Sequence, residues 1–259
     1  MRQKQYTMDL NTLLKLGEGR EAAVFALDKR RALKLFLDGY SAQNVETAFI
    51  SGRRLHRCGV LVPRMIEHCT VNGLQALIME RVDGESMLQS LFAAMETGGA
   101  DELLDRFADI HRSILAVRIA DAPTLKDKLR WQLQACGNER FLPRLQALPD
   151  GDMLCHFDFH PGNVLIYGGN PYVIDFMSCR KGAPILDIAR TYYLMSYGAL
   201  ELIDAALHLE IGKQYLQVMG VKAEEIADAL PVVMAARLSE DPTDPEREVI
   251  SDYLRNFKE

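Results

Sequence analysis

Residues 154–175, LCHFDFHPGNVLIYGGNPYVID, constrain this chain more than any other stretch. Short apolar runs at 153–155, 164–167 and 172–174 read as strands, and Gly168-Gly169-Asn170-Pro171 reads as the turn joining the last two. The end of a strand is where a scaffold can fix a polar side chain while water and ligand still reach it. Asp158, Asn163 and Asp175 stand in two short loops at such ends. A fold that accommodates them needs a small hairpin inside a region that is otherwise helical.

The surrounding sequence meets that requirement. Upstream, residues 86–97, 101–118 and 125–136 carry apolar positions at helical spacing, with a shorter and weaker helical pattern at 138–148. Thr124 and Asp127 are placed as a variant capping box, and Trp131, the single tryptophan, is expected in the core. Downstream, helices are expected at 185–196, 200–219, 223–237 and 245–256.

Residues 1–80 have a different texture. The run 11–16 breaks at Gly17-Glu18-Gly19-Arg20 and resumes at 22–27, a strand, a glycine turn and a strand. Glycines there let backbone N–H groups approach phosphate oxygens, although most such pairs are plain hairpin turns. Residues 31–37, RALKLFL, place Ala32, Lys34 and Phe36 on one face of a strand. Lys34 reads equally as an edge-strand lysine and as an ammonium aimed at phosphates. A helix over 41–57, capped by Ser41, carries Glu46. Asn72-Gly73 between apolar runs marks a hairpin. The sum is about five antiparallel strands and one helix, closed by Glu80-Arg81-Val82-Asp83-Gly84 as a linker.

Bulk properties narrow the function. The chain has 259 residues and a net charge of -6, with no basic excess of the kind nucleic-acid binders carry. From Ala183 to Glu259 there are 14 acidic and 7 basic residues, so the acidic lean belongs to the last third. Solvated helix faces explain it, and so does a pocket for a cationic substrate. The N-terminal residues lack an apolar signal region and no run is long enough to span a bilayer, so a cytoplasmic location without membrane contact is expected. Five cysteines without a CxxC spacing are expected as reduced, buried thiols. The oligomeric state is not encoded legibly.

His156-x-Asp158-x-x-x-x-Asn163, with Asp175 12 residues further on, suits phosphoryl transfer. That reaction needs a divalent metal to offset phosphate charge, and Mg²⁺ takes carboxylate and amide oxygens, here Asn163 and Asp175. It also needs a separate carboxylate to accept the proton of the incoming hydroxyl, the role expected of Asp158. A zinc site built from Cys155, His156, Asp158 and His160 and a merely structural polar turn are the competing readings.

These residues resemble the catalytic and metal-binding loops of the aminoglycoside phosphotransferase and choline kinase family. LGEGREAAVF, Lys34, Glu46 and LIMERVDG occur upstream in matching order, so the resemblance covers roughly residues 14–190. It implies an α+β, bilobal, protein-kinase-like fold. Residues 1–80 would be the nucleotide-binding lobe, 81–84 the hinge, and 85–259 a mainly helical lobe with the catalytic hairpin. It implies ATP and Mg²⁺ as cofactors. Gly17 and Gly19 would meet the phosphates, Lys34 would contact them and pair with Glu46, and the backbone from Glu80 to Val82 would bind adenine. Asp187 would support the catalytic loop. The implied activity is transfer of the γ-phosphoryl group to a hydroxyl of a small molecule, such as an aminoglycoside or amino alcohol. Phe157 stands where a regulated protein kinase has arginine, and only 11 residues separate Asp175 from Asp187. Both features disfavour a compact protein kinase, the alternative reading together with a nucleotide-binding pseudoenzyme.

Overall fold

The computed structural model describes residues 3–19, 21–97, 99–119, 121–198 and 205–257. In chain order its elements begin with β1 (Lys4–Tyr6), β2 (Lys15–Glu18), β3 (Ala22–Ala26), β4 (Arg31–Phe36), α1 (Ala42–Arg57), β5 (Met65–Val71), β6 (Leu74–Glu80) and β7 (Glu85–Ser86). Next come α2 (Met87–Thr97), α3 (Ala100–Leu115), α4 (Leu125–Ala135), α5 (Leu142–Ala147), β8 (Met153–Cys155), β9 (Val164–Tyr167), β10 (Asn170–Val173) and β11 (Arg180–Gly182). The described chain closes with α6 (Pro184–Tyr197), α7 (Ala205–Met219), α8 (Ala223–Ile226), α9 (Leu230–Arg237) and α10 (Asp244–Asn256).

The chain forms two compact units. The first is Met1–Met87 with Val164–Met177. Its six-stranded sheet has the order β1-β5-β6-β4-β3-β2. All pairs are antiparallel except β1 with β5, a parallel edge strand that the sequence pattern does not announce. Asn72 and Gly73 both take positive φ, the backbone that a tight hairpin turn demands. Leu33, Leu35, Cys69, Val71, Ala76 and Ile78 form the core on one face. Helix α1 buries Val45, Ala48, Gly52 and Leu55, a stripe at helical spacing. A Cβ on Gly52 would lie 2.6 Å from the Phe176 ring and 2.7 Å from Met65, so glycine lets α1 seat on that ring.

The hairpin β9–β10 belongs to this first unit, whereas the sequence places it in the C-terminal lobe. Strand β7 explains the difference. Glu85 pairs with Ile166 and Ser86 with Leu165, and the Val173 N–H donates to the Leu61 carbonyl at 2.8 Å. Residues 81–84, expected as a free hinge, and the strand after them therefore stay with the first unit.

The second unit is Leu88–Asn163 with Ser178–Glu259. Its core helix α9 is buried all round, which needs the continuous apolar run LPVVMA that the sequence supplies. Pro231 lacks an N–H, so α8 and α9 are separate where a single helix over 223–237 is expected. The expected start of the helix at Leu200 lies outside the described residues. Trp131 is 65% exposed rather than in the core. Leu125, Leu129, Gln132 and Leu133 form the buried side of α4, and Trp131 falls on the other. Strands β8 and β11 pair as a two-stranded ribbon. The five cysteines are free thiols; Cys69, Cys155 and Cys179 are buried as expected, whereas Cys136 is half-buried and Cys58 exposed. Among the described residues, no helix is long and apolar enough to cross a membrane.

Candidate active site

The first unit carries Lys34 and Asp175. Lys34 lies mid-strand on β4, between Val24 of β3 and Leu77 of β6. Its Nζ donates to Asp175 Oδ1 at 2.9 Å. Asp175 follows β10 with φ at 57°, a left-handed conformation that costs a non-glycine residue energy and must be held by its surroundings. The next residue, Phe176, does the holding: its ring is buried against Gly52 and so pins the backbone that presents Asp175.

Glu46 is not the partner of Lys34. It lies on α1 beside Val45, is exposed, and forms no ion pair with the lysine. The side of α1 that the apolar stripe turns inward leaves Glu46 out.

The glycine turn connects β2 and β3. Gly19 N–H donates to the Ala22 carbonyl at 2.9 Å. A Cβ on Gly17 would meet nothing within 4 Å, and one on Gly19 only the Ala22 carbonyl at 4.0 Å. The protein's own packing therefore does not require glycine at either place. Arg20 lies outside the described residues.

At the end of β6, the Glu80 N–H donates to the Arg64 carbonyl at 2.9 Å, and Glu80 Oε2 accepts from the Arg64 N–H at 3.1 Å. Arg81 N–H is taken by the Arg30 carbonyl at 2.9 Å. Val82 differs: among the described residues, neither its N–H nor its carbonyl has a hydrogen-bond partner. A half-buried backbone segment with both groups open can receive a flat heteroaromatic edge.

The second unit carries Asp158 and Asn163 on the loop after β8. Asp187, fully buried in the first turn of α6, anchors that loop. Its Oδ2 accepts the His156 N–H at 2.6 Å and its Oδ1 the Phe157 N–H at 2.7 Å. His111 Nε2 lies 3.3 Å from Asp187 Oδ2, and His111 Nδ1 lies 2.7 Å from Tyr215 Oη. Burial pushes the Asp187 carboxyl upward, but the bonds from His111 and the loop outweigh it and hold it below the usual carboxylate range.

Phe157 has φ at 61°, so the chain turns sharply just before Asp158. The Asp158 N–H donates to His156 Nδ1 at 3.2 Å. His156 thus holds the loop from within. Asn163 Nδ2 donates to the Asp158 carbonyl at 2.9 Å and to Asp158 Oδ2 at 3.2 Å. With its amide nitrogen turned to Asp158, Asn163 presents its amide oxygen away from it. His160 holds the same loop: its Nδ1 accepts the Gly162 N–H at 3.1 Å, and its carbonyl accepts the Asn163 N–H at 2.8 Å. A Cβ on Gly162 would come within 2.8 Å of the His160 ring, which explains that glycine.

One residue near this loop has no signal in the sequence. Lys128, on α4, places Nζ 5.0 Å above the Phe157 ring and 3.1 Å from Ser178 Oγ. It occupies an ordinary position of an amphipathic helix, and only the fold brings it to the loop.

A family model described as the phosphotransferase enzyme family matches residues 12–219. A search of curated protein sequences gives no match. Among solved structures, the chain is similar to the streptomycin-ATP-APH(2")-IIa ternary complex, with a TM-score of 0.60 at 15% identity, covering 96% of this chain and 92% of that one. An aminoglycoside-3'-phosphotransferase of type VIII gives 0.63 at 17% identity over 86% of this chain and 93% of that one. Aminoglycoside phosphotransferase APH(3'')-Id from Streptomyces rimosus gives 0.62 at 15% identity, covering 86% and 92%. At these identities the likeness is one of fold: a mixed α+β, protein-kinase-like chain with an N-terminal sheet and a helical C-terminal region. The family match spans most of the chain, from the glycine turn through the Asp158 loop to the end of α7, and by it the chain belongs to the phosphotransferase enzyme family.

Proposed function

We propose that the protein transfers the γ-phosphoryl group of ATP, with Mg²⁺, to a hydroxyl of a small molecule. The observation that carries this reading is the Asp158–Asn163 pair on a loop clamped by buried Asp187. A binding module has no use for a carboxylate held so firmly beside an amide. A likeness to structures named for aminoglycoside phosphotransferases, one of them an ATP complex, supports the same reading.

The donor set fits Mg²⁺, a hard cation that prefers oxygen ligands. The Asn163 amide oxygen and the Asp175 carboxylate are the residues that would hold it. When bound, the metal offsets the charge of the phosphates. Lys34, now on Asp175, supplies an ammonium for the phosphates from the middle of the sheet. Gly17 and Gly19 leave the space over their turn open to a phosphate. Glu80 and Val82 take the adenine, with Val82 offering both backbone groups and Glu80 only its carbonyl. Asp158 accepts the proton of the acceptor hydroxyl as its oxygen joins phosphorus and ADP departs. Glu46 stands ready for Lys34 only if α1 turns.

A protein acceptor is the poorer reading. Between Asp175 and α6 lie a single 3-10 turn, Phe176–Ser178, and β11, which leave no length for an activation segment. Purified protein is expected to bind ATP in a Mg²⁺-dependent way and to release ADP when given its acceptor. Asp158→Ala should lower transfer by about 10²–10⁴-fold and leave nucleotide affinity nearly unchanged. Wild-type protein with no Mg²⁺-dependent ATP affinity overturns the proposal.

A further inference from the structure

Among the described residues of the second unit, Arg190, Arg237, Glu240 and Glu246 form a network of ion pairs. Arg190 Nη2 donates to Glu240 Oε2 at 2.6 Å, and Arg237 Nη1 to the same oxygen at 2.7 Å. Arg237 also holds Glu246 through Nε at 2.8 Å and Nη2 at 3.0 Å, and Tyr193 Oη donates to Glu246 Oε1 at 2.6 Å. Lys128 lies outside that network of contacts. Its Nζ reaches the Ser178 hydroxyl and the face of Phe157, and among the described residues it reaches no carboxylate. Burial is the main cause that lowers its pKa to about 8; Arg190 and Arg180 add to it, while Glu240 and Asp158 oppose it. Arg180, partly buried on β11, is a second cation in its field.

A half-buried ammonium that no carboxylate contacts directly is unfavourable unless a bound group comes to it. Phe157, which it covers, immediately precedes Asp158. The acidic excess of the last third does not compete for this place. Of its described carboxylates, Asp187 is spent on the loop, Glu240 and Glu246 on arginines, and the rest are exposed. The charged side chain that lies over Phe157, next to the base, without touching a carboxylate is the Lys128 ammonium.

We propose, resting on the phosphotransfer reading, that the hydroxyl acceptor carries an anionic group, a carboxylate or a phosphate, held by Lys128 with Arg180 near Asp158. The site then prefers hydroxy acids or phosphorylated alcohols to aminoglycosides and amino alcohols.

Two measurements test this. The first is calorimetric titration of inorganic phosphate and of acetate into Lys34→Met protein, which removes the sheet ammonium as a rival anion site. Saturable binding is expected. It should weaken about tenfold or more on adding Lys128→Met and persist within about threefold on adding Lys128→Arg. Acetate alone binding names a carboxylate, and phosphate alone names a phosphate ester. No saturable binding of either, or equal binding with Lys128→Met, overturns the proposal; thermal melts establish that each variant is folded. The second is ADP release by otherwise wild-type protein with glycerate, glycerol phosphate, choline and kanamycin. Lys128→Met should raise KM for an anionic acceptor about tenfold while kcat changes less. Transfer to choline or kanamycin with KM unaffected by Lys128→Met overturns the acceptor assignment and leaves phosphotransfer standing. Absence of Mg²⁺-dependent ATP affinity in wild type removes the phosphotransfer reading itself, and the acceptor assignment with it.

Discussion

At the scale of single residues, the loop that carries Asp158 and Asn163 depends on a buried carboxylate outside it, Asp187. Asp187 receives two backbone N–H groups and lies against His111, all with no solvent to replace them. Asp187→Ala leaves those donors unmet and is expected to destabilise the protein by about 3 kcal/mol or more at neutral pH. Because the folded carboxyl is held below its ordinary pKa, its contribution is present above the unfolded value and is lost as pH falls through the folded one. The gap between wild type and Asp187→Ala should therefore narrow below about pH 4, which urea melts across pH 3–7 would read. A constant gap would mean the carboxylate's charge is not what holds the loop. That Asp158, Asn163 and Asp175 stand in short loops at strand ends was legible in the sequence, because the apolar runs of β8, β9 and β10 mark those ends. The supposed Lys34–Glu46 pair was not, because it depends on how α1 is rotated over the sheet, and spacing along a helix does not set that. Lys128 was illegible for the same reason.

Among elements, the packing of α6 on α7 rests on one missing side chain. A Cβ on Gly212 would overlap Ser196 Oγ and come within 3.1 Å of Ser196 Cβ and 3.3 Å of the Tyr192 ring. Overpacking of this kind costs about 1–3 kcal/mol, against up to about 1 kcal/mol that alanine gains over glycine inside a helix. Gly212→Ala should thus be destabilising on balance. Ser196 Oγ is buried and lacks a hydrogen-bond partner among the described residues, so Ser196→Ala alone should be near neutral. The double variant should recover most of the loss in a thermal melt, and strictly additive effects would show that the two residues do not share this contact. Helices α1, α3 and α6 were readable from their apolar period. Strands β7 and β11, with two and three residues, are too short for any period to show. Trp131 was misplaced by weighing its size above its position: the period through Leu125, Leu129 and Leu133 already turned it outward.

For the molecule as a whole, the chain order and the compact units do not coincide. The first unit takes Val164–Met177 from far along the sequence, so no cut near residue 87 yields a complete piece. What that hairpin supplies within the unit is specific. Phe176 fills the space above Gly52, β9 pairs β7, and Val173 bonds to Leu61. Loss of one buried phenylalanine costs about 3–5 kcal/mol, comparable with the whole stability of many domains at about 5–15 kcal/mol. A fragment of residues 1–87 should therefore melt without a cooperative transition and bind an apolar dye. The same fragment carrying residues 164–177 on a flexible linker should regain a cooperative melt, because the linker restores the hairpin at high effective concentration. Placing Phe176→Ala in that linked fragment should remove most of the gain. A cooperative melt from residues 1–87 alone would show that the sheet and α1 suffice, and that the hairpin presenting Asp175 is carried by the unit without supporting it.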